Sequence, residues 1–139
     1  MAVSTQRIHL NTRGHTDIVD ITGHVAETLE TSGLRSGIVT VFVPGSTGGV
    51  TTIEYEPGLL KDLPEAFEKI APTGIRYHHD DTWGDGNGYA HVRAALVGAS
   101  CTVPFSEGKM ILGTWQQIVF IDFDNRSRDR ELIVQIIGE

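Results

Sequence analysis

The sequence predicts an α+β fold built on largely antiparallel strands. Short segments with period-two apolar alternation recur between Gly-rich turns, while period-3.6 stripes are confined to a few segments. Their order is strands, helix, strands, helices, strands, which is not a repeating βαβ unit. Ile118, Val119, Phe120 and Ile121 are apolar at successive positions, so both faces of that strand need cover. A second packed sheet or a subunit interface supplies such cover in a chain of 139 residues.

The elements follow in order. Residues 4–12 alternate, with Ile8 and Leu10 on one face and Arg7 and His9 on the other. Ile18 to Ile21 forms a second short strand. Thr22 can cap a helix with Val25 and Leu29 on its apolar stripe, and Gly33 stops it. Ile38 to Val43 is apolar on both faces and reads as a strand covered on both sides. Residues 44–49 form a turn, and Val50 to Glu56 returns as a strand. Pro57 to Ile70 has helical period but contains Pro64, so it is expected to split into two helices with Pro64 in the first turn of the second. Gly88 to Ala99 reads as a helix with Val92, Ala95, Leu96 and Ala99 on one stripe. Three strands close the chain: about Cys101–Phe105, Met110–Phe123 with a bend at Gly113, and Glu131–Ile137.

Composition sets outer limits. Apolar residues make up 40% and charged ones 21%, which places the chain among globular proteins. The length fits one domain, residues 1–139. A net charge of −7 argues against nucleic acid as the main partner, because a phosphate backbone calls for a basic stripe. No apolar run approaches a membrane span, and no signal-peptide pattern opens the chain, so cytoplasm is the expected location. Cys101 stands alone between Ala99 and Val103, which fits a buried, inert thiol.

Residues 77–91 concentrate the chemistry. They place His78, His79 and His91, three aspartates and Asn87 on a loop that runs into a helix. Imidazole and carboxylate are the main side-chain metal ligands in a cysteine-poor protein, and imidazole carries protons near neutral pH. Asn87 and His91 are four apart and share one helix face. His91 lies near the positive end of the helix dipole and is expected to stay neutral, the form that binds a metal or accepts a proton. The free amides there could hold phosphate. His79 can fold back toward His91, or both can be ordinary structural and surface histidines.

Other groups leave alternatives open. Ser46 and Thr47 lie in a small-residue loop that could cradle an anion or be a plain hairpin turn. Glu54 is a base, a ligand or a surface acid. Arg126, Arg128 and Arg130 alternate, and guanidinium forks suit phosphate. Salt bridging with Asp122, Asp124 and Asp129 is expected for Arg126 and stays open for the other two. Trp115 could stack on a ligand ring and Gln116 could hydrogen-bond it, against the ordinary fate of Trp in a core.

These segments together resemble the YjbQ-like family, described as secondary thiamine-phosphate synthases. The resemblance is carried by Gly37 with the Val-Phe-Val-Pro run at 41–44 and by Glu54 with Glu56-Pro57-Gly58-Leu59-Leu60. It continues through Tyr77, His79, Asp85-Gly86-Asn87, Ala90-His91, Gly113-Thr114-Trp115-Gln116-Gln117, and Arg128 with Arg130. It implies a two-sheet β-sandwich with three to four short helices, assembled as a homotrimer. It also implies a site drawn from the first hairpin loop, the Glu strand, the His loop and the following helix, with a divalent metal such as zinc or magnesium. On that resemblance Glu54, His79 and His91 are the catalytic residues, and His79 and His91 the metal ligands. Ser46, Thr47, Asn87, Trp115, Gln116, Arg128 and Arg130 then hold a small phosphorylated ligand. Where the family motif reads His-Thr-Thr-Ala, this chain has Gly45-Ser46-Thr47-Gly48, so one candidate ligand is missing.

The activity implied is transfer of a hydroxymethylpyrimidine group from its diphosphate to a thiazole phosphate, with loss of pyrophosphate. Two other readings stand beside it. One is a non-catalytic trimeric protein that binds a metal or phosphometabolite. The other is metal-assisted hydrolysis around His79, His91 and Glu54.

Overall fold

The computed structural model describes residues 1–139. Its elements are β1 (Ala2–Thr12), β2 (Asp17–Asp20), α1 (Thr22–Ser32), β3 (Gly37–Phe42), β4 (Gly48–Ile53), α2 (Leu59–Ile70), α3 (His78–Trp83) and α4 (Gly88–Val97). They continue with β5 (Ser100–Ser106), β6 (Lys109–Met110), β7 (Gln117–Asp122) and β8 (Arg128–Gly138). A five-stranded sheet has the order β1-β8-β3-β5-β6, and a three-stranded sheet has the order β2-β7-β4. Every strand pairing is antiparallel. The expected α+β class with two antiparallel sheets is present.

The apolar run in β7 explains the layering. Ile118 and Phe120 face the five-stranded sheet and join a core with Val39, Val41, Leu132, Val134 and Ile136. Val119, Ile121 and Phe123 face the other way, onto Phe67 of α2 and Tyr89, Ala90 and Ala94 of α4. One face of the small sheet is therefore covered by a sheet and the other by helices. In β1 the expected alternation holds: Ile8 and Leu10 are buried while Arg7 and His9 are exposed.

Several expectations need correction. Pro64 sits inside one continuous helix rather than starting a second. A proline in a helix interior costs about 3 kcal/mol, whereas burying a side chain such as Phe contributes about 1.5–3 kcal/mol. Phe67 is buried and packs edge-on against Phe123 at 4.9 Å, while Leu63 packs beside it, so the amphipathic face offsets the break. Thr22 is not a cap: Ile21 is the N-cap of α1, and the Thr22 hydroxyl donates to Asp20 and accepts the amide of Ile118. Strand β4 ends at Ile53, where the Gln117 side chain takes the Tyr55 amide in place of a ladder partner. The segment from Met110 to Phe123 is two strands, in different sheets, with residues 111–116 between them. Strand β3 is covered on one face only, since Ile38 and Phe42 are both 43% exposed. Residues 78–83, expected as loop, form α3.

Helix α4 is rotated from its expected orientation. Val92, Ala95 and Leu96 point outward, and Tyr89, Ala90, Arg93 and Ala94 are buried. Two contacts set this. A Cβ on Gly49 would lie 2.6 Å from Cγ1 of Val97, so the glycine lets α4 settle closely on β4. Buried Arg93 donates to the Ala71 carbonyl, the Thr16 hydroxyl and the Glu68 carboxylate, locking α4 to α2 and to the turn after β1. Small residues under the helix and an arginine bonded through all three of its nitrogens decide the face, which aliphatic periodicity alone does not reveal.

A buried polar network closes the sandwich at one end. Arg130 of β8 grips Asp122 of β7 through Nε at 2.7 Å and Nη2 at 2.8 Å. Asp122 also accepts the Thr12 hydroxyl at 2.6 Å and the Asp124 amide at 3.0 Å. Burial pushes the Asp122 carboxyl up, but the bonds from Arg130, Thr12 and the Asp124 amide, with the Arg130 charge, hold it below the usual carboxylate range. Its lowered value means that the unfolded chain binds the proton more readily, so this stabilisation is present above about pH 4 and is lost as pH falls further. Arg130→Leu strands a buried carboxylate and is expected to cost about 3–5 kcal/mol at pH 7 by denaturant unfolding. The deficit against the parent chain should shrink as pH falls, first as the unpaired Asp122 of the variant protonates above the ordinary carboxylate value and then, below about pH 4, as the parent loses the stabilisation of its own lowered carboxyl.

Candidate functional site

The site lies above this network, where the two sheets, the loop before β4 and the start of α4 converge. Asp80 fixes the local geometry. Its carboxylate accepts the Tyr77 amide and the Gly88 amide, each at 3.2 Å, joining the start of α3 to the start of α4. Gly88 is needed for that approach, because a Cβ there would lie 2.4 Å from Cβ of Tyr77. His79, one residue before Asp80, is thereby held against His91 in the first turns of α4, with ring centroids 4.1 Å apart. His78 is exposed, so His79 is the member of the pair that faces the site.

Asp85 completes a three-ligand cluster. One donor atom from each of His79, Asp85 and His91 falls within 4.8 Å of the others. His79 Nε2 lies 3.6 Å from Asp85 Oδ1, is buried and has no hydrogen-bond partner. An orphaned imidazole nitrogen facing a carboxylate and a second imidazole is a donor set suited to a divalent metal. The His91 imidazole is held below its ordinary value, first by burial and then by His79, against the opposing pull of Asp85 and Asp124. Neutral His91 is the outcome expected from the sequence, but desolvation is its leading cause. Sequence reasoning did not single out Asp85 as a ligand. The signal was present in its position midway between His79 and His91.

Beside the cluster opens a cavity of about 370 Å³ lined by twelve residues, none hydrophobic. Gly45, Ser46 and Thr47 form one wall, Asp85, Asn87 and His91 another, and Asp124, Arg126, Arg128 and Arg130 the floor and far side. Three arginines thus face two carboxylates in a chain whose net charge is −7. Oδ1 of Asp124 is buried, lacks a hydrogen bond and has Arg126 Nε 4.0 Å away.

The three arginines divide their work. Arg126 makes the expected salt bridge to Asp124, at 4.0 Å and from a side chain that is 70% exposed. Arg128 bonds Asp124 at 2.8 Å, and Arg130 is committed to Asp122 and to the Thr47 hydroxyl at 2.7 Å. Thr47 itself donates to Asp124 at 3.0 Å, so its hydroxyl is used inside the protein while Ser46 stays exposed at the rim. Asn87 is buried, and its side-chain oxygen takes the Asn125 amide, clasping the two turns that frame the cavity.

Three nominated residues are elsewhere in the chain. Gly48 pairs with Asp122 beside the cavity, and Ile53 pairs with Gln117 at the other end of the sheet. Glu54 is six residues beyond Gly48, about 20 Å along an extended strand. Gln116 lies at that far end, donating to Thr52 and accepting the Gly113 amide. Trp115 beside it is 71% exposed rather than in the core. One chain therefore brings together Ser46, Thr47, His79, Asn87, His91, Arg128 and Arg130, but not Glu54, Trp115 or Gln116. Cys101 is half-buried, with burial pushing its thiol up, as an inert cysteine requires. No helix is long and apolar enough to cross a membrane.

Comparison with known proteins agrees with the fold. A UPF0047 protein from Methanothermobacter thermautotrophicus is 40% identical over 139 residues, covering all of this chain and 95% of its own. One from Archaeoglobus fulgidus is 41% identical over 128 residues, covering 92% of this chain and 97% of its own. Among solved structures, a YbjQ-like protein of unknown function from Sulfolobus solfataricus superposes with a TM-score of 0.93 at 32% identity, over 99% of both chains. A yjbq/upf0047 family protein from Clostridium acetobutylicum gives a TM-score of 0.87 at 35% identity, over 95% of this chain and 99% of that one. The family described as UPF0047 protein YjbQ-like matches residues 6–139, and the chain belongs to that family.

Proposed function

We propose that this chain is a metal-dependent enzyme that acts on a phosphorylated small molecule, with thiamine-phosphate-synthase-type transfer as its reaction. The observation that carries the reading is the convergence of His79, Asp85 and His91 at the edge of a cavity that also holds three arginines. Asp85 occupies the ligand role that Gly45 leaves open, so three protein ligands remain and a further position is free for substrate or water. A divalent metal bound there would supply Lewis-acid neutralisation of phosphate charge.

The remaining groups act on the substrate directly. Arg126 and Arg128 orient phosphate oxygens, and the Ser46 hydroxyl adds a hydrogen bond at the rim. Neutral His91 has the protonation state to accept a proton or a metal. In the transfer, the thiazole nitrogen attacks the pyrimidine methylene carbon. The carbon–oxygen bond to diphosphate breaks, and pyrophosphate leaves with the bonding electrons. Arginines around the diphosphate favour that departure by stabilising the charge that develops on it.

A second reading, metal-assisted hydrolysis of a phosphate ester, rests on the cavity's lack of any hydrophobic lining residue in the single chain. Such a cavity admits water and offers no stacking surface for a pyrimidine ring. Non-catalytic binding is a third reading, supported by the internal use of Arg130 and Thr47.

Calorimetric titration with zinc and with magnesium tests the metal site. His79→Ala, Asp85→Ala and His91→Ala are each expected to weaken binding by more than about tenfold, since even outer-sphere partners of metal ligands are worth that much. Unchanged affinity in all three would refute it. Incubation with hydroxymethylpyrimidine diphosphate and thiazole phosphate, with metal present, then separates the reactions. Thiamine phosphate that disappears in Arg126→Ala supports transfer. Release of phosphate alone supports hydrolysis, and ligand binding without turnover supports the binding reading.

A further inference from the structure

We infer that the groove between α2 and the turn joining β1 to β2 is a second ligand site, and that it takes a small organic carboxylate with an apolar body.

The groove consists of two adjoining cavities, of about 370 and 160 Å³, with His15 and Thr16 as their common wall. Leu60 lines the larger, and Pro64 and Glu68 line the smaller. These three follow at four-residue steps on one face of α2, so the helix flanks the groove for about 12 Å. Neither cavity shares a lining residue with the arginine-rich cavity beside the start of α4.

Both walls carry backbone that costs stability. Gly14, His15 and Thr16 have φ of 71°, 53° and 63°, three successive left-handed residues. That region is uncommon for a residue with a Cβ and an outlier for a β-branched one such as Thr16. Two bonds hold the turn there. The His15 amide donates to the Asp124 carbonyl at 2.7 Å, and Arg93 Nη1 donates to the Thr16 hydroxyl at 3.0 Å. Backbone strain of this kind persists where the surroundings enforce it, and it clusters at ligand clamps. Opposite the turn, Pro64 has no N–H to give the Leu60 carbonyl, so α2 forgoes a bond on the face that lines the groove.

The chemistry changes along the groove. In the smaller cavity the Arg93 side chain is 3% exposed and that of its partner Glu68 is 49% exposed, so the cation lies inside and the carboxylate at the mouth. Arg93 gives one N–H each to Ala71, Thr16 and Glu68, which leaves two of the five that a guanidinium carries unbonded. Its guanidinium lies 5.0 Å from the centre of the Tyr89 ring. Burial pushes the Tyr89 hydroxyl up, so it stays protonated and can donate. A buried guanidinium with spare donors beside a phenol is a receptor for a carboxylate. The larger cavity is lined by Ile18, Tyr55 and Leu60. The Tyr55 hydroxyl donates to the Ile18 carbonyl at 3.3 Å, which brings its ring across from β4 to β2. Asp17 in the same cavity is already bonded to the amide and the guanidinium of Arg13. A ligand with its apolar body against Ile18, Tyr55 and Leu60 and its carboxylate on Arg93 and Tyr89 matches both ends.

Amide NMR spectra of the nitrogen-labelled chain, titrated with hydrocinnamate, test this assignment. Phenethylamine carries the same ring with a cation in place of the carboxylate, and inorganic phosphate is an anion without a body. Hydrocinnamate is expected to give saturable shifts centred on His15, Thr16 and the Leu60–Glu68 face of α2, and the other two compounds none there. Tyr89→Phe should weaken hydrocinnamate by about tenfold or more, the worth of a hydrogen bond to a charged group. Leu60→Asp leaves the Arg93 network intact and should abolish binding by placing a charge against the apolar body. Failure of hydrocinnamate to saturate, shifts confined to the surroundings of His91, or equal binding of phenethylamine or phosphate in the groove would overturn the inference. So would unchanged affinity in both variants.

Discussion

The Asp122–Arg130 ion pair is the constraint on which the rest of the structure depends. It joins β7 of the small sheet to β8 of the large one, inside the sandwich and away from water. A carboxylate and a guanidinium cannot be buried unless they are paired and fully bonded. Asp122 accepts bonds from Arg130, Thr12 and the Asp124 amide, and the Arg130 guanidinium extends the network to Thr47. Three regions that are distant in sequence, at residues 12, 47 and 122–130, therefore meet at one point. The loop before β4 and the turn after β7 are held there, and both are walls of the cavity.

That anchoring makes the cavity a preformed site. Its floor is a bonded network, so the groups above it have fixed positions. The cluster of His79, Asp85 and His91 is fixed independently, by Asp80 bridging two helix starts and by Asn125 clasping the turn at Asp85 through the Asp85 carbonyl at 2.8 Å. Two rigid halves meet at the cavity edge. One offers neutral or anionic donors and the other offers cations, a division that suits a metal on one side and a phosphate on the other.

Much of this was legible in the sequence, and the illegible parts have physical reasons. Alternation in β1 and the apolar run of β7 report burial directly, so the strand faces follow from them; that run left a second sheet or a subunit interface open, and a sheet on one side and helices on the other supply the cover. The neutral state of His91 was also readable, whereas the residues alone left His78 and His79 open and only the family resemblance favoured His79. The orientation of α4 was not, because Gly49 and Arg93 set it through contacts with other elements, and neither leaves a mark on helical periodicity. The continuity of α2 across Pro64 depends on Phe67 meeting Phe123, a contact 56 residues away in sequence. Within the site, Asp85 and Asp80 look like ordinary loop acids until the chain folds. Glu54, Trp115 and Gln116 belong to the same sequence pattern as His91, yet strand length places them at the other end of the sheet.

Crystals grown with zinc, recorded on both sides of its absorption edge, test the metal site most directly. An anomalous peak within about 2.0–2.2 Å of a nitrogen on each of His79 and His91 and an oxygen of Asp85 is the expected result. A map with no peak between these three residues at saturating zinc, or with zinc bound only elsewhere on the chain, would contradict it.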